Sequence, residues 1–439
     1  MVRMTGERLT LHAEQVSLKS ILERIAEQGV KVRMDPEVNA RITASFQDRD
    51  IQGALDSILR GLNHVLVWET IPGPLGDLPR LAEIHVFRPG RKDGMETLER
   101  SPNLTIARNP RDGSLYVDNE ILIRLREGST LQDLQGILNR IHGWLEDSYP
   151  LLGLYKVRLP PGSDVPGLSE TLKEHPRVAE TEPNFVYPLP VPEAGDDSTQ
   201  RAVPDVVAHT VERDVSIAVL DSGLAANSSL RSLVKASLDA LDPERPISDS
   251  LGHGTQMAYI ASGVVRPLGV RAPPEAQRPI IAVRAFDDKG FTSSFLIMEA
   301  MDFAMKNGAR VMSLSWGSET RSRFLDEAFT RASKKGLIFV ASAGNEPTGR
   351  PVYPAAYESV IGVGATSPDG TMWEKSNSGD FVSLYAPGFA FLPVGYKGDP
   401  GTYGGTSISA AFVANLAANI LSQTPKATME DVVRALAGR

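Results

Sequence analysis

The sequence predicts an α/β fold with a parallel sheet flanked by helices, preceded by two small α+β domains. From Val215 to Arg439, the runs SIAVL, PIIAVRAF, VMSLSW, LIFVASAG and SVIGVGA are near-continuous apolar stretches of strand length. Helical patterns separate them, as expected of strands buried on both faces of a parallel sheet. Ahead of them, two shorter stretches each mix strand and helix periodicity. The chain has 439 residues, more than one hydrophobic core usually organises.

In the first stretch, Leu9 and Leu11 alternate with polar residues as in a half-buried strand, and Leu18, Ile21, Leu22 and Ile25 recur at helical spacing. Val30 and Val32 give a second strand, and Ile42, Ala44 and Phe46 a third. Ile51, Leu55, Ile58 and Leu59 mark a second helix, and His64 to Glu69 a last strand. The order is β-α-β-β-α-β within residues 1–72. Residues 73–113, rich in Pro, Gly and charge, read as a connector with one strand at Ala82 to Phe87. The second stretch, 114–190, holds a strand at Glu120 to Leu125 and a helix on Leu131, Leu134, Ile137, Leu138 and Ile141. A strand from Leu151 to Leu159, a helix around Leu168 to His175 and a final strand in EPNFVYPLP complete it. Residues 191–214 read as a linker, and 215–439 as the α/β domain.

Composition narrows the function. The net charge of −8 includes no basic block, which excludes a nucleic-acid partner. Without cysteine there is no disulfide, thiolate metal site or cysteine nucleophile. No run reaches the roughly 20 apolar residues that span a bilayer. Ile408 to Leu421 is interrupted by Ser409, Asn415 and Asn419, and reads as a buried helix. The start, MVRMTGERLT, lacks an apolar signal core, so the expectation is a cytoplasmic protein or an export signal further upstream in the natural gene.

Chemistry-bearing residues sit where a parallel sheet places ligands, at the carboxyl ends of strands. Asp221 ends the strand SIAVL and opens a turn with Ser222 and Gly223. His253 lies between Gly252 and Gly254 directly before a helical run, and the glycines imply close backbone approach. Ser407 follows Gly404-Gly405-Thr406 at the start of a long helix, where free N–H groups and the dipole favour developing negative charge. Asn345, in Ala343-Gly344-Asn345-Glu346, offers an amide donor to an oxyanion. Taken singly, each has an ordinary structural reading as a cap, turn or core residue.

Together, VLDSG, GHGTQMA, VMSLSWG, ASAGNE and GGTSISAAFVA, in the order Asp, His, Asn, Ser, resemble the signatures of the subtilisin family. The resemblance implies a serine endopeptidase with Asp221, His253 and Ser407 as catalytic triad. It also implies an oxyanion hole of Asn345 and the Ser407 amide, and protein or peptide substrates. Substrate is then expected to pair with Gly290-Phe291-Thr292 and Ser315-Trp316-Gly317, with Trp316, Ala343, Gly344 and Val352 around the pockets. Val352 stands where broad-specificity members often carry glycine, so modest side chains are expected before the scissile bond. The sequence departs from the family at Ala411, where proline is usual, at Tyr259, where a small residue is usual, and at Leu224 to Leu230, which lacks the usual His-Pro pair.

Two further resemblances concern the front of the chain. Residues 114–190, ending in Glu182-Pro183-Asn184, look like a subtilase propeptide, which implies a zymogen whose own propeptide is an inhibitor and chaperone. VSLKSILERIAEQGVKVRMDPEV followed by IQGALDSILRGL resembles the short N-terminal domain of secretins and TonB-dependent transducers, implying an envelope partner and a periplasmic or secreted location. No cofactor is expected for catalysis. Structural calcium is common in the family, but Asp239, Asp242, Glu244 and Asp249 read as a solvated acidic loop, and no metal ligand is assigned. Two other readings stay open: a peptide ligase or macrocyclase on the same scaffold, and an envelope binding module carrying a secondary protease domain. Self-processing is expected between Pro192 and Thr199, at Ala194–Gly195, because proline follows Tyr187, Leu189 and Val191.

Overall fold

The computed structural model describes residues 2–5, 8–98, 103–194, 215–226, 228–270, 277–396 and 400–437. The chain forms two units: Met1–Ser101 with Thr105–Asp112 and Tyr116–Asn184, and Pro102–Leu104 with Gly113–Leu115 and Phe185–Arg439.

The first unit opens with β1 (Val2–Thr5), β2 (Arg8–Ser17), α1 (Leu18–Ala26), β3 (Lys31–Met34), β4 (Arg41–Asp50), α2 (Ile51–Ile58), β5 (Asn63–Ile71), β6 (Leu78–Phe87) and β7 (Glu96–Thr97). Caps fix both helix starts: Ser17 accepts from the Ser20 amide, and Asp50 from the Gly53 amide. Leu18, Ile21, Leu22 and Ile25 of α1 and Ile51, Leu55 and Ile58 of α2 are buried in one core with Val32, Ile84 and Val86. The strands form two sheets, β1-β2-β4 and β5-β6-β3-β7. The strand expected inside a connector is therefore β6, which pairs antiparallel with β5 and parallel with β3. Leu81, Ile84 and Val86 of this strand are buried, and it begins four residues before the run Ala82 to Phe87 that the sequence showed.

The same unit continues with β8 (Ile106–Arg108), β9 (Leu115–Leu125), α3 (Leu131–Ile141), β10 (Trp144–Tyr149), β11 (Leu154–Arg158), α4 (Val165–Lys173) and β12 (Val178–Pro188), whose residues from Phe185 on belong to the second unit. A reciprocal capping box between Thr130 and Asp133 starts α3. The sheet order is β10-β11-β9-β12. Strand β10 went unread in the sequence because Glu146 and Asp147 interrupt its apolar pattern. Glu146 is nonetheless buried, with Oε1 2.7 Å from Arg158 Nη2.

The second unit contains β13 (Glu193–Ala194), β14 (Ser216–Asp221), β15 (Val234–Asp239), α5 (His253–Ala261), β16 (Ile280–Arg284), β17 (Phe291–Ser293), α6 (Ser294–Lys306), β18 (Ala309–Leu314), α7 (Arg323–Ser333), β19 (Ile338–Ser342), β20 (Val360–Thr366), β21 (Leu384–Pro387), β22 (Phe389–Leu392), β23 (Gly401–Gly404), α8 (Thr406–Gln423) and α9 (Met429–Ala437). Seven strands form one parallel sheet in the order β15-β16-β14-β18-β19-β20-β21. The five apolar runs of the sequence are its five inner strands. The edge strands are less buried, with β15 alternating half-buried and exposed residues and β21 holding one buried residue, and carry a weaker signal. Helix α8, buried along most of its length, packs on the sheet beside α5. Strand order reverses at β14, so the carboxyl end of β14 lies at the crevice where such sheets bind ligands. No helix among the described residues is long and apolar enough to cross a membrane.

Candidate active site

Asp221 is the last residue of β14 and is buried. Its Oδ1 accepts from the Ser222 amide at 2.7 Å and lies 2.7 Å from His253 Nδ1. A carboxylate only accepts, so His253 carries its proton on Nδ1, leaving Nε2 as a basic lone pair. His253 Nε2 is buried without a hydrogen-bond partner among the described residues.

The histidine is held by its turn. Gly252, at φ +83°, caps α5 with a left-handed backbone, and a side chain there would strike the Gly395 carbonyl. A side chain at Gly254 would overlap the backbone of Gly223. The glycines of the Asp and His phrases are thus packed against each other. Asp249 clamps the same turn. Its Oδ1 accepts from Ser222 Oγ and the Gly252 amide, each at 2.8 Å, and its Oδ2 from the Thr255 amide and Oγ1 at 2.9 and 2.6 Å. The reading of Asp249 as part of a solvated loop is corrected here.

Ser407 lies in the first turn of α8, where amides have no intrahelical carbonyl. Its Oγ donates to the Ser315 carbonyl at 3.2 Å instead of reaching His253. Catalytic hydrogen bonds of this kind often form only when substrate is present. Asn345 Oδ1 accepts from the Thr406 amide at 3.0 Å and from Thr406 Oγ1 at 2.8 Å. A backbone N–H can only donate, so this pair fixes which end of the amide is oxygen and leaves Nδ2 beside Gly405, a donor with no partner among the described residues. Thr406 is a positioning residue that sequence reasoning passed over; its place before the serine was the available signal.

Gly290, Phe291 and Thr292 lie at the edge where residues 186–188 of β12 pair antiparallel with β17. Trp316 is fully buried, its ring 5.5 Å from Tyr187 and 5.9 Å from Phe286. Val352 lies between Gly317 and Gly344, within contact distance of where a side chain on either would begin. Ala343 is turned inward: its amide donates to the Val363 carbonyl and its carbonyl accepts from Asn377 Nδ2. It supports the Gly344–Asn345 turn from behind and is not placed on a pocket surface.

Tyr259 and the segment lacking the His-Pro pair compensate each other: the Tyr259 hydroxyl is 2.9 Å from Ser229 Oγ and accepts from the Ser229 amide at 3.2 Å. Tyr396, unread in the sequence, stands edge-on to the His253 ring with centroids 6.4 Å apart. Burial, and then the charge of Asp221, hold its phenol above the ordinary tyrosine range, so it stays neutral. The acidic stretch does not fit a cation. Asp239 Oδ2 is 2.6 Å from Arg284 Nη1, Asp242 pairs with Arg245, and Asp249 is saturated by protein donors. No group of three acidic or histidine ligands occurs among the described residues.

The buried Asp221–His253 pair stands at the start of α5, which packs beside α8, the helix that carries Ser407 in its first turn. Residues 212–437 match the family model of the subtilase family, and residues 103–184 that of the fervidolysin N-terminal prodomain. The chain belongs to the subtilase family. It is 32% identical over 210 residues to the minor extracellular protease Epr of Bacillus subtilis (strain 168), covering 46% of this chain and 32% of Epr. It is 28% identical to the thermophilic serine proteinase of Bacillus sp. (strain AK1), over 75% of this chain and 84% of that protein. It is 30% identical to the subtilisin of Bacillus pumilus, over 50% of this chain and 81% of that protein. In fold it is similar to fervidolysin from Fervidobacterium pennivorans, described as a keratinolytic enzyme related to subtilisin, with TM-score 0.60, 24% identity, and 77% and 60% of the two chains covered.

Proposed function

We propose that the chain is a serine endopeptidase made as a precursor, with residues 103–184 as its prodomain. The buried Asp221–His253 pair is the observation that carries this reading. Ser407 Oγ attacks the carbonyl carbon of the scissile bond, and His253 Nε2 takes its proton and later gives it to the leaving nitrogen. Water then enters by the same route to release the acyl group. Asp221 stabilises the imidazolium, and Asn345 Nδ2 with the Ser407 amide receives the oxyanion. Hydrolysis of a quenched peptide library, with products identified by mass, tests the reaction: new carboxyl and amino termini are expected, and joined or cyclic peptides would overturn it.

Two effects follow within this reading. Asn345→Ala should lower kcat by about 10² to 10³ with little change in KM, the magnitude known for the same loss in subtilisin. An equal loss in both constants would remove Asn345 from the oxyanion site. Val352→Gly should raise kcat/KM for phenylalanine over alanine before the cut by about 10- to 100-fold, since the valine methyls lie between Gly317 and Gly344. An unchanged ratio on paired substrates would show that Val352 is not in the pocket.

The β-α-β-β-α-β order of residues 9–71 supports reading the N-terminal part as an envelope-type module, and with it a periplasmic or secreted protein. Fractionation of cells carrying the natural gene tests this; retention of the full-length chain in the cytoplasm alone would overturn it.

A further inference from the structure

The segment after Asn184 makes two successive strand pairings within the second unit. Val186, Tyr187 and Pro188 pair with Ser293, Thr292 and Phe291, and the Leu189 amide donates to the Gly290 carbonyl at 2.8 Å. Four residues on, Glu193 and Ala194 pair antiparallel with Gly404 and Tyr403. The Glu193 carboxylate adds an ion pair to Lys375 Nζ at 2.6 Å. These two anchors flank the chemistry. Gly404 lies three residues before Ser407, while Leu251, two before His253, approaches Gly290 alongside Leu189. Only Pro190, Val191 and Pro192 bridge the gap, a reach of roughly 13 Å for extended chain. Val191, 68% exposed, is gripped by no pocket. The first residues of the segment read as a linker, 191–214, therefore include a strand pairing at Glu193 and Ala194. The expected cut at Ala194–Gly195 falls one residue past the second anchor, and Gly195 lies outside the described residues.

The bridging sequence is Tyr187-Pro188-Leu189-Pro190-Val191-Pro192-Glu193, so every bond from Tyr187 to Glu193 has proline on one side. Each non-proline residue here except Glu193 precedes a proline and is biased to extended backbone, which prepays the entropy of lying in a cleft. N–H groups alternate between the two edges of a strand. The Leu189 amide faces Gly290, so prolines 188 and 190 occupy the positions whose N–H would face the opposite edge. Pro190 therefore has no N–H to offer there. The Ser407 hydroxyl rests on the Ser315 carbonyl, and His253 Nε2 is left without its hydrogen bond.

We infer that residues 188–192 are a proline lock: an intact, substrate-like strand that fills both sides of the cleft and resists the enzyme it occupies. The inference rests on the peptidase reading above. Cleavage here would need Ser407 Oγ to add to a carbonyl carbon, its proton to pass through His253 to the leaving nitrogen, and water to release the acyl group. At Leu189–Pro190 and Val191–Pro192 the leaving nitrogen is a proline ring atom. At Pro190–Val191 the acyl residue is a proline that cannot donate to the cleft. Release must therefore come from a cut outside this stretch or from displacement of the strand.

The test compares the full-length wild type with the variant carrying Pro188→Ala, Pro190→Ala and Pro192→Ala, following intact mass over time at several protein concentrations. The variant should cut itself between Leu189 and Glu193 at least tenfold faster than wild type, with a rate independent of concentration, and should label faster with a fluorophosphonate. Adding Ser407→Ala to the variant should stop the cut. Equal rates in variant and wild type, or a wild type already cut between Leu189 and Glu193, would overturn the lock. Pro190→Ala alone, the mildest change, should give an intermediate rate and guards against a misfolded triple variant. Wild type stripped of its N-terminal part by limited proteolysis separates the two hypotheses. Absence of Ser407-dependent casein hydrolysis there would overturn the peptidase reading, whereas hydrolysis with no proline effect would overturn the lock alone.

Discussion

Ser407→Ala should leave a folded chain that hydrolyses peptides at less than about a thousandth of the wild-type rate, and the loss in subtilisin is roughly 10⁶ in kcat. In the proposed mechanism the change deletes the nucleophilic oxygen, while His253, Asp221 and Asn345 keep their own hydrogen bonds. Its structural cost is small. The one hydrogen bond lost is Ser407 Oγ to the Ser315 carbonyl, worth about 1 kcal/mol, and alanine favours the helix it enters. Peptidase assays beside a thermal melt separate the two effects. Residual activity above a thousandth in a normally melting variant would mean that the nucleophile is another residue.

Arg158→Met should lower the melting temperature of the first unit by about 10 °C. Arg158 Nη2 lies 2.6 Å from Glu120 Oε1 and 2.7 Å from Glu146 Oε1, and Asn184 Nδ2 donates to Glu120 Oε2 at 2.7 Å. Burial works against the guanidinium charge, but Glu146 and Glu120 outweigh it and hold Arg158 above its usual range. Glu120 and Glu146 are each 5% exposed. Methionine would fill the volume and leave these carboxylates without their shared guanidinium, at about 3–5 kcal/mol. For a unit of this size each kcal/mol moves the midpoint by about 2–4 °C. Adding Glu120→Gln and Glu146→Gln should restore part of the loss. A single variant melting within about 2 °C of wild type would show that the network contributes little.

Asn184 belongs to that network and is also the last residue of the first unit, directly before the strand that enters the cleft. The sequence marked Glu182-Pro183-Asn184 only by resemblance. What Asn184 holds is a carboxylate 64 positions earlier, a pairing that no local pattern announces.

The inner strands of the parallel sheet were legible because burial on both faces demands unbroken apolar runs, and β14, β16, β18, β19 and β20 each have one. The glycines of the Asp and His phrases answer a local need: Gly252 takes a left-handed backbone, and Gly254 leaves room for Gly223. Sequence alone therefore determined the fold class and named Asp221, His253 and Ser407. It found part of β6 but not its sheet partners, and it missed β10, because those places depend on distant partners such as β3 and Arg158. Nor could it show that Asp249 clamps the histidine turn, that Thr406 orients the Asn345 amide, or that Tyr396 covers His253. The last two are contacts between segments far apart in the chain, and the Asp249 clamp, though local at Gly252 and Thr255, also reaches Ser222 27 positions earlier. The proline pattern after Tyr187 was visible as letters and was read as a reason to cut further along. Only the pairing of Leu189 with Gly290 and of Glu193 with Gly404 placed it across the cleft, because the path of a strand is set by the edges that hydrogen-bond to it.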